Sequence, residues 1–183
     1  MTWTLIVLVV LALVLWGFYI SWRASRLDRL HNRAEAARTA LDLAMVRRSS
    51  AAYELASSGL LDPATSLLLA DAVRRAKDSG PAERDLAESD LTRALRAAFG
   101  QPGFRGEVEA NDGAAELVGE VDAAAQQVFI ARKFYNDVAA RTMDARRRPL
   151  VRVFRLAGNA PQPEFFEMDD ALPDGEGAGE HIP

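Results

Sequence analysis

The chain has no cysteine. That absence excludes a disulfide scaffold and thiolate metal ligands, and it suits a reducing compartment. The two histidines, His31 and His181, stand far apart, so no histidine-based zinc set exists within one chain. Neither G-x-x-x-x-G-K-[ST] nor G-x-G-x-x-G occurs, and no serine sits in G-x-S-x-G. A phosphate-cradling loop and a serine nucleophile elbow are therefore not indicated. Carboxylates such as Asp42, Glu54, Asp71, Glu116, Glu120 and Asp122 are scattered as on solvated helix faces, with no E-x-x-H pair of the di-iron kind. No catalytic, metal or cofactor set is expected from this sequence.

Charge is missing altogether from residues 1–22, and the run LIVLVVLALVLWGFYI within them is almost wholly aliphatic. A bilayer core of about 30 Å needs roughly 20 such residues in a helix. Trp3, Trp16, Tyr19 and Trp22 lie toward its two ends, where amphipathic rings favour the interface. A cleaved signal peptide would need a basic start and small residues at a cleavage site, and neither is present. The expectation is a retained anchor. No Lys or Arg precedes the run, whereas Arg23, Arg26, Arg29 and Arg33 follow it. The positive-inside rule then puts the amino terminus outside and residues 23–183 in the cytoplasm of a single-pass cell-membrane protein.

After the anchor the apolar pattern is helical. Leu27, Leu30, Ala34, Ala37, Leu41, Ala44, Arg48, Ala51 and Leu55 alternate in steps of three and four, the seam of a packed helix. Arg48 interrupts that seam. The favoured expectation is a residue at the end of the packed region, stem against the core and head in water; the alternative is a buried polar partner that fixes register. Ser57, Ser58 and Gly59 end the helix. Asp62-Pro63 reads as N-cap and first helical residue of a second helix to about Asp78, with Leu67, Leu68, Ala70, Ala72 and Val73 inward. A third helix turns Leu86, Leu91, Leu95 and Phe99 inward. Glycines and proline from Gly100 to Gly106 predict a loop reaching Asn111-Asp112-Gly113. The last long helix has the seam Leu117, Val121, Ala124, Val128, Ala131, Tyr135, Val138 and Thr142, with Phe134 widening the apolar stripe.

Pro149 breaks that helix. Residues 146–157 are expected to include a short basic amphipathic segment, with Leu150, Val153, Phe154 and Ala157 on one side and Arg148, Arg152 and Arg155 on the other. From Asn159 onward the chain carries seven acids and no Lys or Arg, rich in Pro and Gly. It lacks the apolar content to fold alone, so a disordered tail is predicted, with Phe165 and Phe166 as a small apolar hook.

Four stretches carry a family resemblance: HNRAEAA (His31 to Ala37), LDLAMVRR (Leu41 to Arg48), ELVGEVDAAAQQVFIARKFYND (Glu116 to Asp137) and FFE (Phe165 to Glu167). In this order they resemble the Asn-Arg, LD-x-x-L-x-R-R and A-R-[RK]-x-Y-N blocks and the ending of LemA family proteins, in a divergent form. The resemblance implies an amino-terminal membrane helix followed by a long-helix bundle, and no settled enzymatic activity. It also implies that Arg132, Phe134, Tyr135 and Asn136 form a matched set, with Phe165 and Phe166 at the ending.

The expected architecture is all-α: a transmembrane anchor (1–22), an up-down four-helix bundle (23–158) and a disordered acidic tail (159–183). The expected role is a non-enzymatic scaffold contacting the bilayer through residues 1–22 and binding a helical protein or a second copy. The alternative is a lipid-surface module acting through residues 146–157, with Arg146, Arg147 and Arg148 beside Arg23, Arg26 and Arg29 at the membrane. The acidic balance argues against a nucleic-acid partner.

Overall fold

Every regular element of the computed structural model is a helix, among the described residues 2–110, 112–153 and 161–171, the side chains at 23, 24, 105, 107, 109, 112 and 150 excepted. The elements are α1 (Thr2–Ser57), α2 (Pro63–Asp78), α3 (Arg84–Phe99), α4 (Phe104–Glu109), α5 (Asp112–Arg147) and α6 (Pro149–Val153). They form two compact units. The first joins Met1–Ala37 to Asn136–Phe165, and the second joins Arg38–Tyr135 to Phe166–Pro183.

In the first unit, α1 opens with a segment of mean hydropathy 2.5 over 18 residues, none of it buried against protein. At about 1.5 Å per residue, residues 2–22 cover roughly 30 Å, the hydrocarbon thickness of a bilayer. This is the one helix, among the described residues, long and apolar enough to cross a membrane. No break separates it from the charged helix that follows, so α1 is continuous for 56 residues. Leu27, Ala34 and Ala37 on α1 are buried, as are Val138, Ala139 and Thr142 on α5 and Val151 on α6.

The second unit has a core of Ala51, Ala52, Leu55, Leu61, Leu69, Val73, Leu91, Leu95, Phe99, Phe104, Val121 and Ala124, drawn from α1 through α5. The seam expected on α1 is buried through Leu41, Ala44, Ala51 and Leu55, and that on α5 through Val121, Ala124, Val128 and Tyr135. Alanine dominates on α1, which lets a neighbouring helix approach closely.

Local chemistry explains the helix ends. The Ser58 hydroxyl donates to the Leu55 carbonyl at 2.8 Å, and Gly59 follows at φ +80°, a conformation that costs other residues a Cβ clash. Asp62 caps α2 by accepting from the Ala64 and Thr65 amides at 2.9 and 3.2 Å. Hydrogen bonds from Thr65 and Gln101 hold its carboxyl down at about 2.

Several side chains face otherwise than expected. Leu67 and Leu68 on α2 and Leu86 on α3 are exposed, and Leu69, Val73 and Ala76 do the packing on α2. In a run of three leucines the sequence leaves the phase of the helix open by one residue, and the neighbours choose Leu69. The glycine-rich stretch after α3 is not all loop: Phe104 opens α4 and stacks on Phe99 with ring centroids 5.4 Å apart. That aromatic pair gives the short helix an apolar anchor. On α6, Val151, which the amphipathic reading assigned to neither side, is buried, and Val153 is exposed. Phe154, Arg155 and Ala157 lie outside the described residues.

Candidate functional site: the docked carboxy-terminal segment

Composition predicts a solvated tail from residue 159, yet within the second unit residues 166–171 lie along α3. Phe166 is 1% exposed and Met168 is 8% exposed, with Glu167 between them turned out. This in-out alternation is that of an extended chain. The Glu167 amide donates to Asp85 Oδ2 at 3.0 Å, and the Asp169 amide donates to Ser89 Oγ at 3.0 Å. Asp85 and Ser89 lie one turn apart on α3, about 6.0 Å along its axis. Two residues of extended chain advance about 6.6 Å. The two repeats match, so a helix face can satisfy alternate amides of a strand-like segment.

Charge finishes the dock. The Arg96 guanidinium pairs with Asp169, and Arg132 reaches Asp170 Oδ2 through both Nε and Nη2 at 2.7 Å. The Arg38 guanidinium lies over the Phe166 ring at 4.8 Å and the Tyr135 ring at 5.5 Å, and its Nε is 3.5 Å from Asp42. An arginine between two aromatic faces packs its plane while keeping its charge near a carboxylate. Apolar contents thus hold Phe166 and Met168, and arginines hold the two acids beyond them. The arrangement holds the chain's own extended aromatic-acidic segment.

Of the expected signature residues, Arg132, Tyr135 and Phe166 come together here. Phe134 does not: it is 58% exposed, one residue out of phase with the α5 seam. Phe165 is half-exposed and Asn136 half-buried, both in the first unit. Arg38, Asp85, Ser89 and Arg96 were not legible as partners of the tail. The only signal was complementarity between an acid-rich end and an arginine-rich body, which names no pair.

The buried partner of α1 is Arg48. Contrary to the favoured expectation of a solvated head, both Arg48 and Glu88 are 2% exposed, with Nη2 and Oε2 2.6 Å apart. Arg48 Nη1 also donates to Thr92 Oγ1 at 2.9 Å, and Nη2 to the Glu88 carbonyl at 3.1 Å. Burial pushes the Glu88 carboxyl above its usual range, and the Arg48 guanidinium opposes that push. Glu88 lies on α3 among Ala87, Leu91 and Leu95, and only the fold brings it to Arg48.

Among the basic residues expected near the membrane, Arg26, Arg29 and Arg148 line one cleft of the first unit together with Arg33 and Arg141. Arg146 donates to the Pro161 carbonyl at 2.9 Å, Arg147 is exposed, and the Arg23 side chain is not described. The tail acids Asp169 and Asp170 go to Arg96 and Arg132. Among the described residues no group of three or more His, Asp or Glu is placed to hold a metal ion.

Comparison with protein-family models, with curated proteins and with solved structures gave no match to this chain. The likeness to LemA proteins accordingly rests on the motifs quoted above.

Proposed function

We propose that this chain is a membrane-anchored, non-enzymatic helical scaffold of the LemA type, a single-pass protein with its amino terminus outside and its helical domain in the cytoplasm. The helices after the span are read as an up-down four-helix bundle, α1, α2, α3 and α5, closed by the docked tail. The observation that carries the scaffold reading is apolar surface in the second unit that the chain leaves uncovered. Leu43, Val46 and Tyr53 on α1 and Ile130 and Phe134 on α5 are more than half exposed. The Arg47 guanidinium donates to Gln127 at 3.0 Å, so these two helices meet on the face that carries Leu43, Val46 and Ile130. Exposed apolar residues at helical spacing suit a partner helix, from another protein or a second copy.

A photo-crosslinking residue in place of Phe134, in the full chain in its native membrane, tests this. A discrete adduct that disappears when Leu43 and Ile130 become Glu supports the scaffold. A chain that yields no protein adduct at Phe134, or one indifferent to Leu43→Glu/Ile130→Glu, would remove it. A second reading, membrane-surface binding through residues 146–157, draws support from the cleft that gathers Arg148 with Arg26 and Arg29.

A further inference from the structure

The cleft of the first unit encloses about 640 Å³ and carries five guanidiniums, Arg26, Arg29, Arg33, Arg141 and Arg148, against one carboxylate, Asp144. Arg141 is already paired with Asp137 at 3.0 Å. Among the described residues Arg26, Arg29, Arg33 and Arg148 make no ion pair. The three on α1 are spaced by three and four, so they share one face, where like charges repel. A chain that needed these arginines only for helix packing would place acids between them, as it does for Arg38, Arg48 and Arg132 in the second unit. Among the described residues Asp144 is the one carboxylate set against them in the cleft.

The cleft is not purely polar. Leu27 and Leu30 from α1 and Val151 from α6 line it, and Trp22 closes the side from which the apolar span arrives. Arg26 lies four residues past Trp22, about 6 Å along the helix, and Arg29 about 10 Å. Headgroups occupy roughly the 5–8 Å beyond each face of the hydrocarbon core. A guanidinium fork matches the oxygens of a phosphate two at a time, and the apolar lining suits the glycerol and upper acyl carbons attached to it.

We propose that this cleft is a binding site for the phosphate of an anionic phospholipid, seated between α1 and the end of α5. The site rests on the reading of residues 2–22 as a bilayer span. A free phosphate shares the headgroup's chemistry but has no use for Trp22, Leu30 and Val151.

The test is native mass spectrometry of the full chain from detergent micelles doped with phosphatidylglycerol or phosphatidylcholine. Phosphatidylglycerol should be retained at least about five-fold over phosphatidylcholine. Arg29→Gln/Arg33→Gln/Arg148→Gln should bring it down to the phosphatidylcholine level, and Arg148→Gln alone gives the same comparison if the triple variant loses helicity. Arg74→Gln/Arg75→Gln/Arg93→Gln, with the same charge change on α2 and α3, should retain the lipid. Equal retention of the two lipids, or equal losses in the two triple variants, overturns the site. Displacement of phosphatidylglycerol by millimolar inorganic phosphate reassigns it to a free anion and overturns the lipid proposal. Alkaline carbonate extraction runs alongside: a chain that washes out of membranes sinks the span, whereas a chain that stays in but shows no lipid preference sinks the cleft alone.

Discussion

A single arginine set into an apolar seam has a context-dependent cost, and Arg48 shows what resolves it. Two charges removed from water at 2.6 Å recover their solvation only if every neighbour is well placed. Thr92 and the Glu88 carbonyl supply two further acceptors. Arg48→Met leaves Glu88 in the core without its partner, and a loss of about 3–5 kcal/mol is expected. Arg48→Met/Glu88→Leu removes both charges and should regain most of it. The pH dependence has a definite sign. A carboxyl whose folded pKa is raised favours folding below its unfolded value of about 4.5, and that contribution is lost as pH rises through the folded value. Arg48→Met raises the folded value further, so its deficit should shrink as pH falls from 7 toward 5. Thermal unfolding of the full chain in detergent, followed by circular dichroism, measures both effects. A deficit constant over that range would mean that Glu88 keeps the same charge state whether or not Arg48 is present.

Element-scale order in the tail comes from the partner surface. The segment from Phe166 to Ala171 has no helical or strand pairing of its own, and its Glu167, Asp169 and Ala171 amides donate to Asp85, Ser89 and Asp169. Its composition is that of a solvated tail because most of its residues are; two apolar side chains and two acids suffice once a complementary face exists. Phe166→Ala should therefore destabilise the second unit by about 3 kcal/mol or more, as for other large-to-small aromatic changes in a core. Phe165→Ala should cost within about 0.5 kcal/mol, since that ring is 47% exposed. Urea unfolding of the two variants separates them, and equal effects would mean that the FFE motif acts as an apolar pair rather than through one buried ring. For α5 the seam was legible because its apolar residues recur in threes and fours over 36 residues. Phase was readable there and not in the short α2, whose three consecutive leucines fit several faces.

For the whole molecule, the charge asymmetry about the apolar run sets a directional expectation. A carboxy-terminal alkaline phosphatase fusion to the full chain should be inactive in cells, and a fluorescent-protein fusion should glow. An active phosphatase would place the helical domain outside and would also place the arginine cleft against the outer leaflet.

What the sequence determined by itself is what depends on near neighbours in the chain: an uncharged helix long enough for a bilayer, the long seams of α1 and α5, the Asp62-Pro63 start of α2 and the glycine stop at Gly59. Each follows from backbone sterics, capping or the 3.6-residue period, and each acts within a few residues. Only the tertiary structure decided what joins distant positions: Arg48 with Glu88, the tail with Asp85, Ser89, Arg96 and Arg132, and Arg26, Arg29 and Arg33 with Arg141 and Arg148. An arginine reads the same in sequence whether it meets water, a carboxylate or an aromatic face. Its energetic role is set by burial and by partners tens of residues away, and the packing of helices alone brings those together.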